Sequence, residues 1–269
     1  MKTRLITGSI LAAILVPLLF IPTHFFAMAV SVFVIIGSYE FYKMVSQESY
    51  NSLGLLFFLI GVLSVYSIGV LFIYTTIQFE TLMAIIMGVL LLYLSLRVFM
   101  PSLDWAALFQ GVFYLGLPFS ALVFVHNEGI GMLLYLLLIA MLSDVFAYFS
   151  GMLFGKHKLA PRISPKKTIE GMIGGTVMAV LIASILAVTQ SLFFESHSFF
   201  HVVLVVGVGI MISLLAQLGD LVASSFKRQY DIKDFSNLFP GHGGVLDRFD
   251  STLFAATVLS IVLLVIAVI

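Results

Sequence analysis

The sequence predicts an all-α, polytopic integral membrane protein of about nine transmembrane helices. Two observations carry this expectation. Of the 269 residues, 61% are hydrophobic and 10% are charged, against roughly 25% charged in a soluble domain. The apolar residues also gather into runs that approach or exceed the ~20 residues needed to span a bilayer as a helix. A membrane barrel would instead show short alternating segments. No polar stretch is long enough to form a soluble domain. The 13 Lys and Arg residues balance the 13 Asp and Glu residues, so net charge points to no partner. Nucleic acid is not expected to bind. The chain has no cysteine, which excludes disulfides, thiolate metal sites and cysteine nucleophiles.

The apolar segments, in order, cover about 4–22, 24–45, 53–75, 79–99, 105–125, 130–153, 171–193, 199–226 and 250–269. A tight turn at Pro22-Thr23-His24 joins the first two. The first segment also has the parts of a signal peptide: Lys2 and Arg4, an apolar core, and Ala27-Met28-Ala29 as a cleavage site. The apolar run continues past these alanines, which favours a helical hairpin. The first five segments form an N-terminal, lipid-facing scaffold over 1–126. The other four form a catalytic region over 127–269, with polar loops at 153–171 and 226–250. Gly171, Gly174 and Gly175 open segment seven at close-packing spacing and read as helix packing. No internal repeat is evident.

Charge distribution orients the chain. With the N-terminus inside, the inner regions are 1–4, 45–53, 99–105, 153–171 and 226–250, and all 13 basic residues lie in or beside them. The outer loops carry only Glu80, Glu128 and Glu195 as formal charge. This obeys the positive-inside rule. It places the N-terminus in the cytoplasm, the C-terminus on the opposite side, and the protein in the cell membrane.

The candidate chemistry lies in acids within the apolar runs and in the two long inner loops. Asp144 sits mid-segment, where an ionised carboxylate is costly unless paired or metal-bound. Asp220 lies about two turns before the end of segment eight, where an ion pair with Lys227 or Arg228 is the simpler explanation. Asp247 and Asp250 share a helix face, and Asp247 also suits an N-cap. Gly241, Gly243 and Gly244 bracket His242; such a loop is an ordinary turn or a phosphate nest. Lys156, Lys158 and Arg162 fit topology and attraction to anionic headgroups. Lys166 and Lys167, just before a helix, are better placed to neutralise phosphate. Carboxylates able to hold Mg²⁺, cations for phosphate oxygens and a glycine-rich loop together suit phosphoryl or nucleotidyl transfer. No nucleophile–base–acid arrangement for acyl transfer is evident. Gly151 to His157 lacks the spacing and the hydroxyl of a P-loop.

A resemblance sharpens this reading. Ser224, Phe226, Lys227, Arg228, Lys233, Asp234, Ser236, Leu238, Pro240, His242, Gly243, Gly244, Val245, Asp247, Arg248, Phe249 and Asp250 resemble the signature of the phosphatidate cytidylyltransferase (CDP-diacylglycerol synthase) family, without departure over 27 residues. Ser143–Gly151, Ser164–Gly171 and Gln217–Arg228 also look like family motifs. The first half resembles the family only as a string of membrane helices.

The resemblance implies transfer of the cytidylyl group of CTP to phosphatidic acid. The products would be CDP-diacylglycerol and pyrophosphate, made for phospholipid synthesis at the cytoplasmic membrane face. It implies Mg²⁺, with room for a second cation, held by Asp144, Asp220, Asp247 and Asp250. The phosphates would be held by Lys166, Lys167, Lys227, Arg228, Lys233, His242, Gly243, Gly244 and Arg248. The catalytic residues implied are Asp220, Asp247, His242 and Lys167, with His242 protonating the leaving group or contacting CTP. The variant Asp247→Asn should abolish turnover and leave the protein folded. Small residues in several helices permit a homodimer.

Three alternatives stand beside it, the first another lipid-phosphate enzyme and the second of a different class. A CDP-alcohol phosphotransferase would carry a different aspartate motif, absent here. An ion-coupled transporter would use Asp144 and Asp220 and show transport without turnover. A non-catalytic lipid-binding scaffold would tolerate loss of the carboxylates.

Overall fold

A computed structural model describes residues 2–75, 79–189, 193 and 199–268. Among the described residues the chain forms nine α-helices: α1 (Lys2–Leu18), α2 (Thr23–Ser46), α3 (Ser52–Tyr74), α4 (Phe79–Phe99), α5 (Trp105–Asn127), α6 (Ile130–Phe154), α7 (Ile169–Thr189), α8 (Phe199–Gln229) and α9 (Leu246–Val268). Every helix end falls within four residues of the segment predicted for it. Seven helices, α2, α3 and α5–α9, are long and apolar enough to cross a membrane. The apolar stretches of α1 and α4 are shorter, at Thr7–Leu18 and Ile86–Val98. The chain is an all-α multi-pass membrane protein. Glu195, assigned above to an outer loop, lies outside the described residues.

The helix ends have local causes. Asn51 caps α3, its side chain accepting from the Leu53 amide at 2.9 Å, which satisfies one of the orphan donors of the first turn. Gly129 precedes α6 with φ 124°, a conformation that disfavours a residue with a Cβ. Inside the apolar helices, hydroxyls fold back on their own backbone. Ser38 donates to the Val34 carbonyl, Ser64 to that of Ile60 and Ser95 to that of Leu91, which gives each of these three hydroxyls an acceptor in an apolar setting.

The polar loop 153–171 is more ordered than its composition predicts. Lys158–Ala160 (β1) and Ser164–Thr168 (β2) pair antiparallel, with Lys158 opposite Thr168 and Ala160 opposite Ser164. The Ile163 amide bonds the Ala160 carbonyl at 3.2 Å and closes the turn. The other difference is at α9, which starts four residues before its predicted limit. Asp247 therefore lies inside the first turn, where a carboxylate favours the positive end of the helix dipole. It does not stand outside the helix as its cap.

The chain divides into two compact units. The first runs from the N-terminus to Phe124 and includes Asp234–Leu246. Its core contains Val34, Phe41 and Tyr42 from α2, Phe58 and Val62 from α3, and Leu115, Phe119 and Val123 from α5, all buried. Tyr66 donates to the Ala27 carbonyl at 2.7 Å and ties α3 to α2. A Cβ on Gly37 would fall 2.8 Å from Leu246, so the end of the Asp234–Leu246 segment packs directly on α2.

The second unit comprises Val125–Lys233 and the chain from Asp247 onward. Helices α6 and α7 lie against each other along their length because small residues face the contact. A Cβ on Gly171 would meet the Ala147 carbonyl at 2.7 Å, and one on Gly175 the Ser143 carbonyl at 2.5 Å. Without a hydrophobic driving force between helices in lipid, such close backbone approach supplies the packing. Gly175→Val is expected to force the helices apart at about 1–3 kcal/mol, as overpacking does. A lowered melting midpoint in detergent would show it.

Candidate active site

The second unit gathers most of the residues singled out in the sequence. Strand alternation separates the paired lysines: Lys166 is exposed, whereas Lys167 is half-buried. The Lys167 ammonium lies 2.5 Å from Asp220 Oδ2 and also reaches the Gln217 carbonyl at 3.5 Å. Ser224 Oγ donates to Asp220 Oδ1 at 3.3 Å. Asp220 therefore pairs with a lysine of the hairpin and not, as the simpler sequence explanation had it, with Lys227 or Arg228 one to two turns along its own helix. Thr168 turns the hairpin into α7, its Oγ1 accepting from the Gly171 amide at 3.1 Å.

Lys227 takes another partner. Its ammonium donates to Asp247 Oδ1 at 2.7 Å, with only 9% and 4% of the two side chains exposed. This buried ion pair joins the last turn of α8 to the first turn of α9. Asp250 lies one turn further along α9 and accepts from the Ser251 amide at 2.8 Å. The backbone carbonyl of Asp250 packs on Gly219, where a Cβ would fall 2.7 Å away, so α8 and α9 run in close contact at the level of Asp220.

Asp144, Asp220 and Asp250 act on one another electrostatically, and Lys167 acts on Asp144. Lys227 and Asp247 pair with each other, which leaves three carboxyl groups, Asp144, Asp220 and Asp250, beside one ammonium, Lys167. That excess and the hard oxygen donors fit a divalent cation such as Mg²⁺, which keeps several of its waters and needs few protein ligands. Among the described residues no group of three or more acids and histidines forms a ready-made metal cage.

A buried polar ladder lies beside these acids. Gln217 Nε2 donates to Thr176 Oγ1 at 3.0 Å and Ser213 Oγ at 3.3 Å, and Ser213 shares a 2.7 Å hydrogen bond with Ser143. Ser143 precedes Asp144 in α6. In the sequence Gln217 stood out only as the first residue of the Gln217–Arg228 motif and had no role of its own, although a glutamine three residues before Asp220 in an apolar helix carries the same signal. Arg228 holds structure together: its guanidinium donates to the Ile163 carbonyl at 3.4 Å and the Ile232 carbonyl at 3.0 Å. Lys233 and Arg248 are exposed.

His242, Gly243 and Gly244 belong to the first unit. The Phe239 amide bonds the Gly243 carbonyl and the His242 amide the Phe239 carbonyl, both at 2.8 Å, in a tight turn. Gly241 at φ 78° and Gly243 at φ 81° supply the left-handed conformations it needs. Thr7 Oγ1 donates to the Pro240 carbonyl at 3.2 Å, and a Cβ on Gly8 would lie 3.7 Å from the His242 ring. The sequence reading missed Glu40, which is 2% exposed on α2. It accepts from Ser236 and from the Val245 and Leu246 amides. An acid inside a long apolar run is a visible signal.

Comparison with known proteins adds an independent finding. The family model described as the cytidylyltransferase family matches residues 2–266. A 162-residue stretch is 43% identical to the phosphatidate cytidylyltransferase of Staphylococcus aureus (strain COL). Over 162 residues the identity is 41% to the proteins of that name from Staphylococcus haemolyticus (strain JCSC1435) and Staphylococcus epidermidis (strain ATCC 12228 / FDA PCI 1200). Each match covers 60% of this chain and 60% of the relative.

Proposed function

The chain belongs to the cytidylyltransferase family, and we propose that it transfers the cytidylyl group of CTP to phosphatidic acid, giving CDP-diacylglycerol and pyrophosphate. The observation that carries this reading is the cluster of Lys167, Asp220, Asp144 and Asp250 beside the buried Lys227–Asp247 pair. The name shared by the relatives, phosphatidate cytidylyltransferase, supports the choice of substrates. A transporter would need the intramembrane acids but has no use for the ordered glycine turn at 239–243.

A phosphate oxygen of phosphatidic acid attacks the α-phosphorus of CTP. The new P–O bond forms as the bond to the β-phosphate breaks, and the electron pair leaves with pyrophosphate. The attacking group is a phosphate monoester with a second pKa of ~6, so it is already largely dianionic at neutral pH and needs no general base. Catalysis then rests on positioning and charge neutralisation. Lys167 is the cation best placed for this, because it sits between the hairpin and the acids of α6 and α8. Lys166 and Arg248, both exposed, meet the outer phosphates. Lys227 holds Asp247 in place, a role distinct from direct phosphate binding. Mg²⁺ held by Asp220 and Asp250, with Asp144 tuning the site, would supply further neutralisation of the phosphate charge. His242 serves the leaving group or the nucleotide. The reaction takes place at the cytoplasmic face of the cell membrane, where the basic hairpin faces CTP.

The test uses purified protein in lipid or detergent, phosphatidic acid and α-labelled CTP, with and without Mg²⁺. Label is expected in the organic phase only when phosphatidic acid and Mg²⁺ are both present. Folded protein that yields no labelled lipid under any divalent ion would overturn the reading.

A further inference from the structure

We propose that Glu40 is a positioning residue for this reaction: from α2 its carboxylate clamps the Ser236–Leu246 segment and so sets the shape of the glycine turn and the start of α9. The proposal rests on the cytidylyltransferase reading above. Its basis is a carboxylate whose two oxygens both serve one stretch of chain. Oε1 accepts from Ser236 Oγ at 2.6 Å and from the Val245 amide at 3.0 Å. Oε2 accepts from the Leu246 amide at 3.0 Å. Ser236 Oγ in turn accepts from the Leu238 amide at 3.2 Å. Glu40 is 2% exposed, so water does not compete for these donors.

The physical role follows from what the donors would otherwise lack. The amides of Val245 and Leu246 stand at the start of α9, where no intrahelical carbonyl is available. A carboxylate there also meets the positive end of the helix. Gly244 is part of the same clamp: a Cβ at that position would collide with Glu40 Oε1. Residue 244 thus has no room for a side chain, because the carboxylate and Ser236 Oγ, 2.6 Å from such a Cβ, occupy the space. An apolar residue at position 40 would fill the core equally well but would leave three donors unmet. A buried acid in an apolar helix is costly unless it is used, and here the hydrogen bonds named above come from Ser236 and Val245, which flank the turn carrying His242, and from Leu246, which precedes Asp247. Glu40 lies in the half of the chain that resembles the family least, yet it holds Ser236 and Gly244 of the signature.

The test compares the full chain with Glu40→Gln, which keeps the size but turns one acceptor into a donor facing other donors. Hydrogen exchange over residues 236–250 is expected to quicken by about 10-fold. For protein that remains monodisperse, kcat per folded molecule is expected to fall by about 10²-fold, as for a misplaced reacting group. Glu40→Asp keeps both oxygens on a shorter arm and should recover part of that loss. A merely structural residue would lower the yield of folded protein and leave kcat of the folded fraction unchanged; that result, or unchanged exchange, overturns the proposal. If the wild type makes no labelled lipid, the reaction reading fails, while the exchange measurement still decides whether Glu40 holds the turn.

Discussion

Asp220→Asn is expected to lower labelled-lipid formation by about 10³-fold, the upper range for removing one preorganised electrostatic group, and to leave the protein folded. Both halves follow from the geometry. Asp220 pairs with Lys167 at 2.5 Å, but the two side chains keep 27% and 24% of their exposure. Losing one charge there strands no ammonium in a dry interior. Asparagine can still bond Ser224 and accept from Lys167. What disappears is the negative charge that pairs with Lys167 and that, in the proposed reaction, would help hold a cation. The measurement is turnover at saturating CTP across a Mg²⁺ titration, beside a melting curve in the same detergent. A rate within tenfold of the wild type would remove Asp220 from the reaction. A collapsed melting midpoint would make it a fold residue instead.

The second large effect concerns stability. Lys227→Met is expected to destabilise the protein by about 3–5 kcal/mol, the usual result of removing one partner from a buried ion pair. It leaves Asp247, whose side chain is 4% exposed, as a buried carboxylate without its lysine. The same geometry changes what Asp247→Asn should do. From sequence alone that variant was expected to abolish turnover in a folded protein. With Lys227 only 9% exposed and bonded to Asp247 at 2.7 Å, neutralising Asp247 leaves a buried ammonium and weakens the fold as well. Lys227→Met combined with Asp247→Leu removes both charges and should melt above either single variant, because an apolar pair of similar volume is often no worse than the ion pair. Equal melting midpoints for Lys227→Met and the wild type would mean that the pair contributes nothing. Asp220→Asn is therefore the cleaner probe of chemistry, and the Lys227–Asp247 variants are probes of the α8–α9 junction.

The helices were legible because hydropathy is a local property. A run of about 20 apolar residues must place its backbone polar groups in a helix if it is to lie in lipid, whatever surrounds it. That is why the nine helices end within four residues of their predicted limits. The acids at 144, 220, 247 and 250 were visible for the same reason, since each interrupts or borders an apolar run. The hairpin at 158–168 was hidden, because its short strands read as a basic loop. Glu40 interrupts an apolar run in the same way, yet the sequence reading did not single it out.

By itself, then, the sequence determined that the chain is a series of membrane helices with two long polar loops, and which residues were candidates for chemistry. Only the tertiary structure decided who partners whom. Lys167 belongs to Asp220, Lys227 to Asp247, and Glu40 to Ser236, Val245 and Leu246. The physical reason is that burial cost attaches to a single residue and can be read one residue at a time. Its compensation depends on which helices and strands become neighbours, and in the case of Glu40 the partners lie about 200 residues away along the chain.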